Sequence, residues 1–412
     1  MLACSSDKEI DQPETKKVVI PDPVIPTNTI PKEFNSFNDI NKTTSFYNGL
    51  LSSYKSYTNF NKFREMMGSI NNGVVEHLSS AYSYIDFDKD GDSDFIFAST
   101  SYTIDNKYIY IIENKGDGVW SLFKKIDGFV WPRKGGVADF DNNGYLDFFV
   151  ADHGYEAQGI PSLGAPLGIV YFYKDDVKLK YIPNSTAFNH TATAGDIDND
   201  GDTDIVTIDN VYRNTNGEFS KENNITIQQQ NGYYHAELMD LNNDGKLDLV
   251  AGNSENYING NGIRNYTRIF WNNGDGKFRY ENATELPLPN VINTFGMVDD
   301  IDFLDFNNDG KMDIILNRSA AIPGINGYYI QFLQNNGDKT FKEVSEERIS
   351  NYKFSTTNQF IWFVWIRLLD LNKDNKLDII VREGAAPGSV PEIEKEWYWI
   401  NDGNNNYQLK NN

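Results

Sequence analysis

The sequence predicts an all-β fold, a β-propeller of four-stranded antiparallel blades, with seven blades favoured and six as the alternative. Three observations predict it. A nine-residue acidic loop occurs six times along the chain. Each copy runs into a short apolar stretch of strand length, such as Phe95–Ala98 or Ile379–Val381. Each of those is followed by a further strand, a polar turn and an aromatic-bearing strand, and four short strands per repeat of about 45–65 residues make one propeller blade.

Composition sets the outer limits. The chain has 412 residues, 39% of them hydrophobic and 14% aromatic, which is enough for a real core and unlike an acidic disordered chain. With 37 Lys+Arg against 59 Asp+Glu the net charge is −22, which argues against nucleic acid as a partner, since phosphate binding needs a basic surface. No stretch approaches the ~18 apolar residues of a membrane-spanning helix. The single cysteine, Cys4, excludes a disulfide framework and a cysteine-based zinc site.

The loops carry ligand-type residues at positions 1, 3, 5 and 9. These are Asp86, Asp88, Asp90 and Asp94 in the first copy; Asp139, Asp141, Asn143 and Asp147 in the second; Asp196, Asp198, Asp200 and Asp204 in the third. The remaining copies hold Asp240, Asn242, Asp244 and Asp248; Asp305, Asn307, Asp309 and Asp313; and Asp370, Asn372, Asp374 and Asp378. First-aspartate spacings are 53, 57, 44, 65 and 65 residues. Calcium takes six to eight oxygens at about 2.3–2.6 Å, and carboxylates or amides at positions 1, 3 and 5 of a tight loop converge on one point. Glycine at position 6 turns the chain, the carbonyl of position 7 adds an oxygen, and the acid at position 9 closes the shell. An EF-hand closes with Glu at position 12 between two helices; here strand follows, so the loops sit inside β-hairpins. About six calcium ions are therefore expected, which would move the net charge to about −10 and relieve repulsion among clustered carboxylates. The first and third loops, with four aspartates each, should bind most tightly, and the sixth, where Asn375 replaces glycine, is the most altered. The competing reading is acidic turns without metal.

The fourth repeat displays the unit: His235–Met239, the loop, Leu247–Ala251, Thr267–Trp271, the Asn272–Gly276 turn, and Lys277–Tyr280 as fourth strand. Loop, strand order and Asn-Gly-Asp-Gly turn together resemble the FG-GAP/VCBS repeat family, to which the integrin α-chain head is related, over about residues 77–412. The resemblance implies a calcium-bearing propeller. Residues 34–76 contain Ser52–Tyr57 and Lys62–Met66, similar to the outer strands of a blade, and are expected to form the degenerate seventh.

Domain organisation follows. Leu2-Ala3-Cys4-Ser5 resembles the end of a bacterial lipoprotein signal, with Cys4 as the lipidated residue, and Asp7-Lys8-Glu9 resembles the surface-export signal of Bacteroidota lipoproteins. Residues 5–33 contain Pro13, Pro21, Pro23, Pro26 and Pro31, the composition of an extended tether. Residues 34–412 form the propeller. Such a layout implies an outer-membrane, lipid-anchored, surface-exposed protein that meets the membrane only through its anchor.

Strand order places the acidic loops and the third-to-fourth-strand turns at one end of every blade. The long connections 152–168, 252–268, 317–327 and 383–395 lie at the other end, where loops of such length carry function. There the sequence brings Arg133, Lys134, His190, His235, Asp299, Asp300, Trp362 and Trp365 to the starts of inner strands, with His77, His153, Tyr155, Tyr257 and Tyr266 near them. Arg133, Tyr155, His190 and His235 are the expected ligand-binding residues. The plainer alternatives are histidines bonding between blades, and Trp362 and Trp365 as core. No nucleophile elbow, phosphate loop or His-Glu-x-x-His occurs. The expected function is binding of a glycan or a surface protein partner. The runner-up is a polysaccharide lyase or hydrolase in which His190, His235 and Arg133 serve as base and cation. The third reading is a structural subunit of an outer-membrane complex.

Overall fold

The computed structural model describes residues His77 to Lys410 apart from connecting stretches at 101–107, 155–163, 223–232, 256–264, 291–295, 320–325, 357–362 and 384–395 and single positions 118, 175, 373 and 375. Before His77 it describes Met67 and four two-residue strands. Cys4, Tyr155, Tyr257 and Trp362 fall outside the described residues, as do the side chains of His77 and Trp365.

Six antiparallel sheets follow one another along the chain, each a meander of four strands hydrogen-bonded in sequence order. The first comprises His77–Ile85, Asp94–Thr100, Tyr108–Asn114 and Trp120–Asp127. The second comprises Pro132–Ala138, Asp147–Asp152, Gly168–Tyr173 and Asp176–Tyr181. The third comprises Ala192–Gly195, Asp204–Thr207, Val211–Thr215 and Glu218–Glu222. Tyr233–Met239, Asp248–Asn253, Arg268–Phe270 and Ala283–Glu285 form the fourth. Met297–Leu304, Asp313–Ser319, Asn326–Asn335 and Phe341–Glu343 form the fifth. Phe363–Leu369, Asp378–Glu383, Glu396–Asn401 and Tyr407–Lys410 form the sixth. In the fifth sheet the long third strand has two partners on one side. Phe341–Glu343 covers its end, one helical turn (Ser345–Arg348) intervenes, and Lys353–Thr356 pairs with its beginning.

The second strands explain the continuous apolar runs. Side chains alternate between faces along a strand, and here both faces are buried between neighbouring sheets. Phe148 and Val150 pack toward the first sheet, whereas Phe149 and Ala151 pack toward the third. Ile205 faces the second sheet and Val206 the fourth. Leu249 faces the third and Val250 the fifth. Ile314 faces the fourth and Ile315 the sixth. The outer face of the first sheet, with Phe95 and Phe97, packs on Met67.

One expectation is corrected in detail. The fourth strand of the fourth sheet is Ala283–Glu285, because Lys277–Tyr280 leads instead into a 3-10 turn at Tyr280–Asn282. Phe278 is fully buried there, and Trp271 N donates to Asn282 O, so the connection is pinned before the strand begins. Within 34–76, the described strands pair Ile40–Asn41 with Ser56–Tyr57 and Phe46–Tyr47 with Leu50–Leu51, and Lys62–Met66 lies outside the described residues.

Candidate functional site

The acidic loops join first and second strands, and the geometry of each is set by its own carboxylates. At position 1, one oxygen accepts the amide of position 6: Gly144 N to Asp139 Oδ2 is 2.7 Å, and Gly245 N to Asp240 Oδ2 and Gly310 N to Asp305 Oδ2 are both 2.8 Å. At position 5, an oxygen accepts the amide two residues on, as from Tyr145 N to Asn143 Oδ1 at 2.7 Å and from Lys376 N to Asp374 Oδ1 at 2.9 Å. In the first five loops, two residues per loop adopt left-handed backbone. Position 4 does so at Lys89, Asn142, Asn199, Asn243 and Asn308, and position 6 at its glycine. The asparagines suit that region, which most side chains avoid.

Position 9 is a clamp as well as a potential ligand. Asp94, Asp147, Asp248, Asp313 and Asp378 are all 0% exposed. One oxygen accepts the amide of position 2, as from Phe140 N to Asp147 at 2.9 Å. The other accepts an amide at the end of the third strand, from Asn114, Phe172, Asn214, Asn272, Asn335 or Asn401 at 2.7–2.9 Å. Burial pushes the Asp94, Asp147 and Asp248 carboxyls up to about 8 and those of Asp204 and Asp313 to about 7, against the pull of these hydrogen bonds. A divalent cation held in the loop would reverse that balance, because a bound ion is the largest local charge.

The residues fit a calcium ion. Carboxylate oxygens of Asp86, Asp88 and Asp90, of Asp139, Asp141 and Asp147, and of Asp196, Asp198 and Asp204 lie within 4.8 Å of one another. Asp86 Oδ1, Asp141 Oδ1 and Asp198 Oδ1, one at a ligand position in each of these three loops, are buried without a hydrogen bond, whereas most buried polar groups have one. In the last three loops position 3 is an amide, and Asn242, Asn307 and Asn372 each donate to the position-5 carboxylate at 3.1–3.3 Å.

An unforeseen device ties the sheets together. The asparagine that opens the third-to-fourth-strand turn reaches back to the preceding loop: Asn214 Nδ2 donates to Phe140 O, Asn272 Nδ2 to Ile197 O and Asn335 Nδ2 to Leu241 O, at 2.7–2.8 Å. The same amide also bonds its own loop, for example Asn272 to Leu247 O at 3.0 Å. The recurrence of Asn before Gly in these turns was the available signal.

At the opposite strand ends, the expected ligand residues separate into two groups. His190 is half-buried, and its Nε2 lies 3.1 Å from Nε2 of His153, with Phe188 over the His153 ring and Arg133 over Trp131. Asp152 holds this corner by accepting the amides of Val130, Trp131 and Gly154 at 2.6–2.9 Å. Burial, then His153 and Arg133, depresses His190 to about 4, so that imidazole is neutral near pH 7. His235 lies deeper. It is 5% exposed, and its Nε2 is 3.1 Å from Glu237 Oε1 and 3.1 Å from Asp300 Oδ1. Lys134 pairs with Glu237, Arg367 lies 4.0 Å from Asp300, and Ile366 N donates to Asp300 at 2.7 Å. The His235–Glu237–Asp300 oxygens and nitrogen could also surround a metal, yet the two carboxylates already face two protein cations. His235 therefore ties first strands together rather than lining a mouth. A buried Arg318–Glu255 pair at 2.6 Å, extended to Gln331 at 2.8 Å, anchors the long connection of the fourth sheet to the fifth.

Comparison with known proteins bears on the repeats. Residues 86–150, 196–251 and 253–316 match the FG-GAP-like repeat family, each match spanning at least one acidic loop and the strand after it. Those three stretches are similar to FG-GAP-like repeats. No curated protein matches the chain. Among solved structures, the biofilm matrix protein Bap1 of V. cholerae is similar over 87% of this chain and 68% of its own, with 13% identity and a TM-score of 0.33. A likeness of that degree bears on neither ligand nor location. The three matches cover five of the six acidic loops, and the loop at 370–378 lies beyond them.

Proposed function

We propose that the protein is a calcium-stabilised β-propeller that binds a glycan or a surface protein partner through the face opposite its acidic loops. The observation that carries the calcium reading is the set of buried, unbonded carboxylate oxygens at Asp86, Asp141 and Asp198, each within a cluster of acids. Stacking of the sheets in sequence order supports propeller closure, and Met67 against the outer face of the first sheet supports a covering element from residues 34–76. The binding surface centres on Arg133, Trp131, Phe188 and His190, with the buried His153 supporting His190 from behind, a partly exposed aromatic and imidazole cluster of the kind that packs on sugar rings or peptide side chains. Lipidation at Cys4, followed by the proline-rich tether, would place that face outward from an outer membrane.

A lyase acting on uronate polymers is the second reading, favoured by a neutral His190 beside the Arg133 charge. A glycan array with pull-down from native membranes tests the binding reading. Incubation with uronate polysaccharides, followed by absorbance of unsaturated product, tests the lyase. Turnover abolished by His190→Ala would establish the second reading over the first.

A further inference from the structure

The third loop differs from its five counterparts in one respect. The residue preceding the third-strand amide that bonds position 9 is Glu113, Tyr171, Trp271, Gln334 or Ile400 in the other sheets, and Arg213 in this one. Its guanidinium turns into the loop. Nη1 lies 3.1 Å from Asp198 Oδ2 and 3.2 Å from Asp204 Oδ2, while Nε bonds Glu222 at 3.2 Å and Nη2 donates to Asp275 O at 2.9 Å. The side chain is only 11% exposed, and a Cβ at Gly276 of the neighbouring turn would collide with it, so the surroundings are shaped to admit it. Other loop cations differ in kind: Lys311, 2.8 Å from Asp309, approaches from solvent with a side chain 35% exposed. Asp204 Oδ2 is drawn toward Arg213, and its bond from Ile197 N is 3.4 Å, the longest of the six equivalent bonds.

We infer that Arg213 is a built-in counter-cation of the third loop, which lowers that loop's calcium affinity and holds its carboxylates together when metal is absent. The inference rests on the calcium reading above, and it reverses the ranking that aspartate count alone would give. Position and charge carry it. A unit positive charge fixed against two ligand carboxylates opposes an entering dication and screens the same carboxylates from each other. Four contacts from three elements hold the guanidinium, so it cannot swing away as an exposed lysine does.

Calcium titration of the full, chelator-stripped chain by calorimetry tests this. Arg213→Gln should tighten one class of site by about tenfold, the effect of one unit charge near a dication in a water-like medium. It should also lower the melting temperature in chelator more than in calcium. An unchanged or weakened calcium curve would overturn the inference. If Arg213→Gln does not fold, Asp198→Asn in the otherwise unaltered chain decides: it should remove a weak site, whereas Asp88→Asn in the first loop should remove a tight one. Loss of a tight site with Asp198→Asn would also overturn it. Absence of calcium uptake by both the unaltered chain and Arg213→Gln would instead refute the calcium reading, and this inference with it.

Discussion

Asn272→Ala is the sharpest test of how the sheets are fastened. Asn272 is 2% exposed and makes four hydrogen bonds: its Nδ2 donates to Ile197 O at 2.7 Å and Leu247 O at 3.0 Å, and its Oδ1 accepts from Gly274 N at 2.8 Å and Gly276 N at 3.2 Å. Alanine deletes all four, and at a net value of about 1 kcal/mol each the loss is about 4 kcal/mol. The next residue provides the control. Asn273 is exposed and takes part in a single 3.4 Å contact from Asn282, so Asn273→Ala should stay within about 0.5 kcal/mol. Urea denaturation in saturating calcium, followed by fluorescence of the adjacent buried Trp271, measures both. Asn272→Asp should be destabilised as well, because a carboxylate oxygen would face two carbonyls. An Asn272→Ala variant no less stable than Asn273→Ala would show that burial of the strands, rather than these amides, joins one sheet to the next.

Other consequences are simpler to state. Gly245 has φ +80° and an ideal Cβ there would meet nothing, so Gly245→Ala should cost only backbone strain, about 1–2 kcal/mol by chemical denaturation. Arg318→Ala leaves Glu255 buried without its counter-ion and should cost about 3–5 kcal/mol by the same measurement; a smaller loss than that of Asn273→Ala would contradict the pairing. His190 has a folded pKa of about 4, below its ordinary 6.5, so its contribution to stability is present above pH 6.5 and is lost as pH falls through 4. The fall in melting temperature between pH 7 and pH 4.5 should therefore be smaller in His190→Gln, and equal falls would show that His190 does not titrate with unfolding.

The repeat, the strand after each loop and the side of the strands on which the long connections lie were all legible, because each is encoded within a few consecutive residues. Ligand spacing in the loops is of this kind, and so is the alternation that buries both faces of Phe148–Ala151 and Leu249–Ala251. Features made by contacts distant in sequence were not. Arg213 looks like an ordinary strand residue until Asp275, 62 residues away, is beside it. His190 stands six residues before its loop and His235 five, and this one-residue offset, which changes the face a side chain takes, leaves one against His153 and the other against Asp300 in the interior. The position-4 residues Lys89 and Asn142 hold left-handed backbone that the asparagines hint at and the lysine hides. Lys277–Tyr280 has the pattern of a strand but is overruled by the burial of Phe278.

Calcium binding is the central claim, and metal content with thermal melting tests it most directly. The protein is stripped with chelator, dialysed against calcium, and its bound metal counted beside its melting temperature in each state. The account predicts uptake of about six calcium ions per chain, one of them weakly held, and a marked rise in melting temperature, since a ligand bound only by the folded state adds ~2.7 kcal/mol per site at a hundredfold excess over its dissociation constant. No retained calcium and an unchanged melting temperature would contradict it.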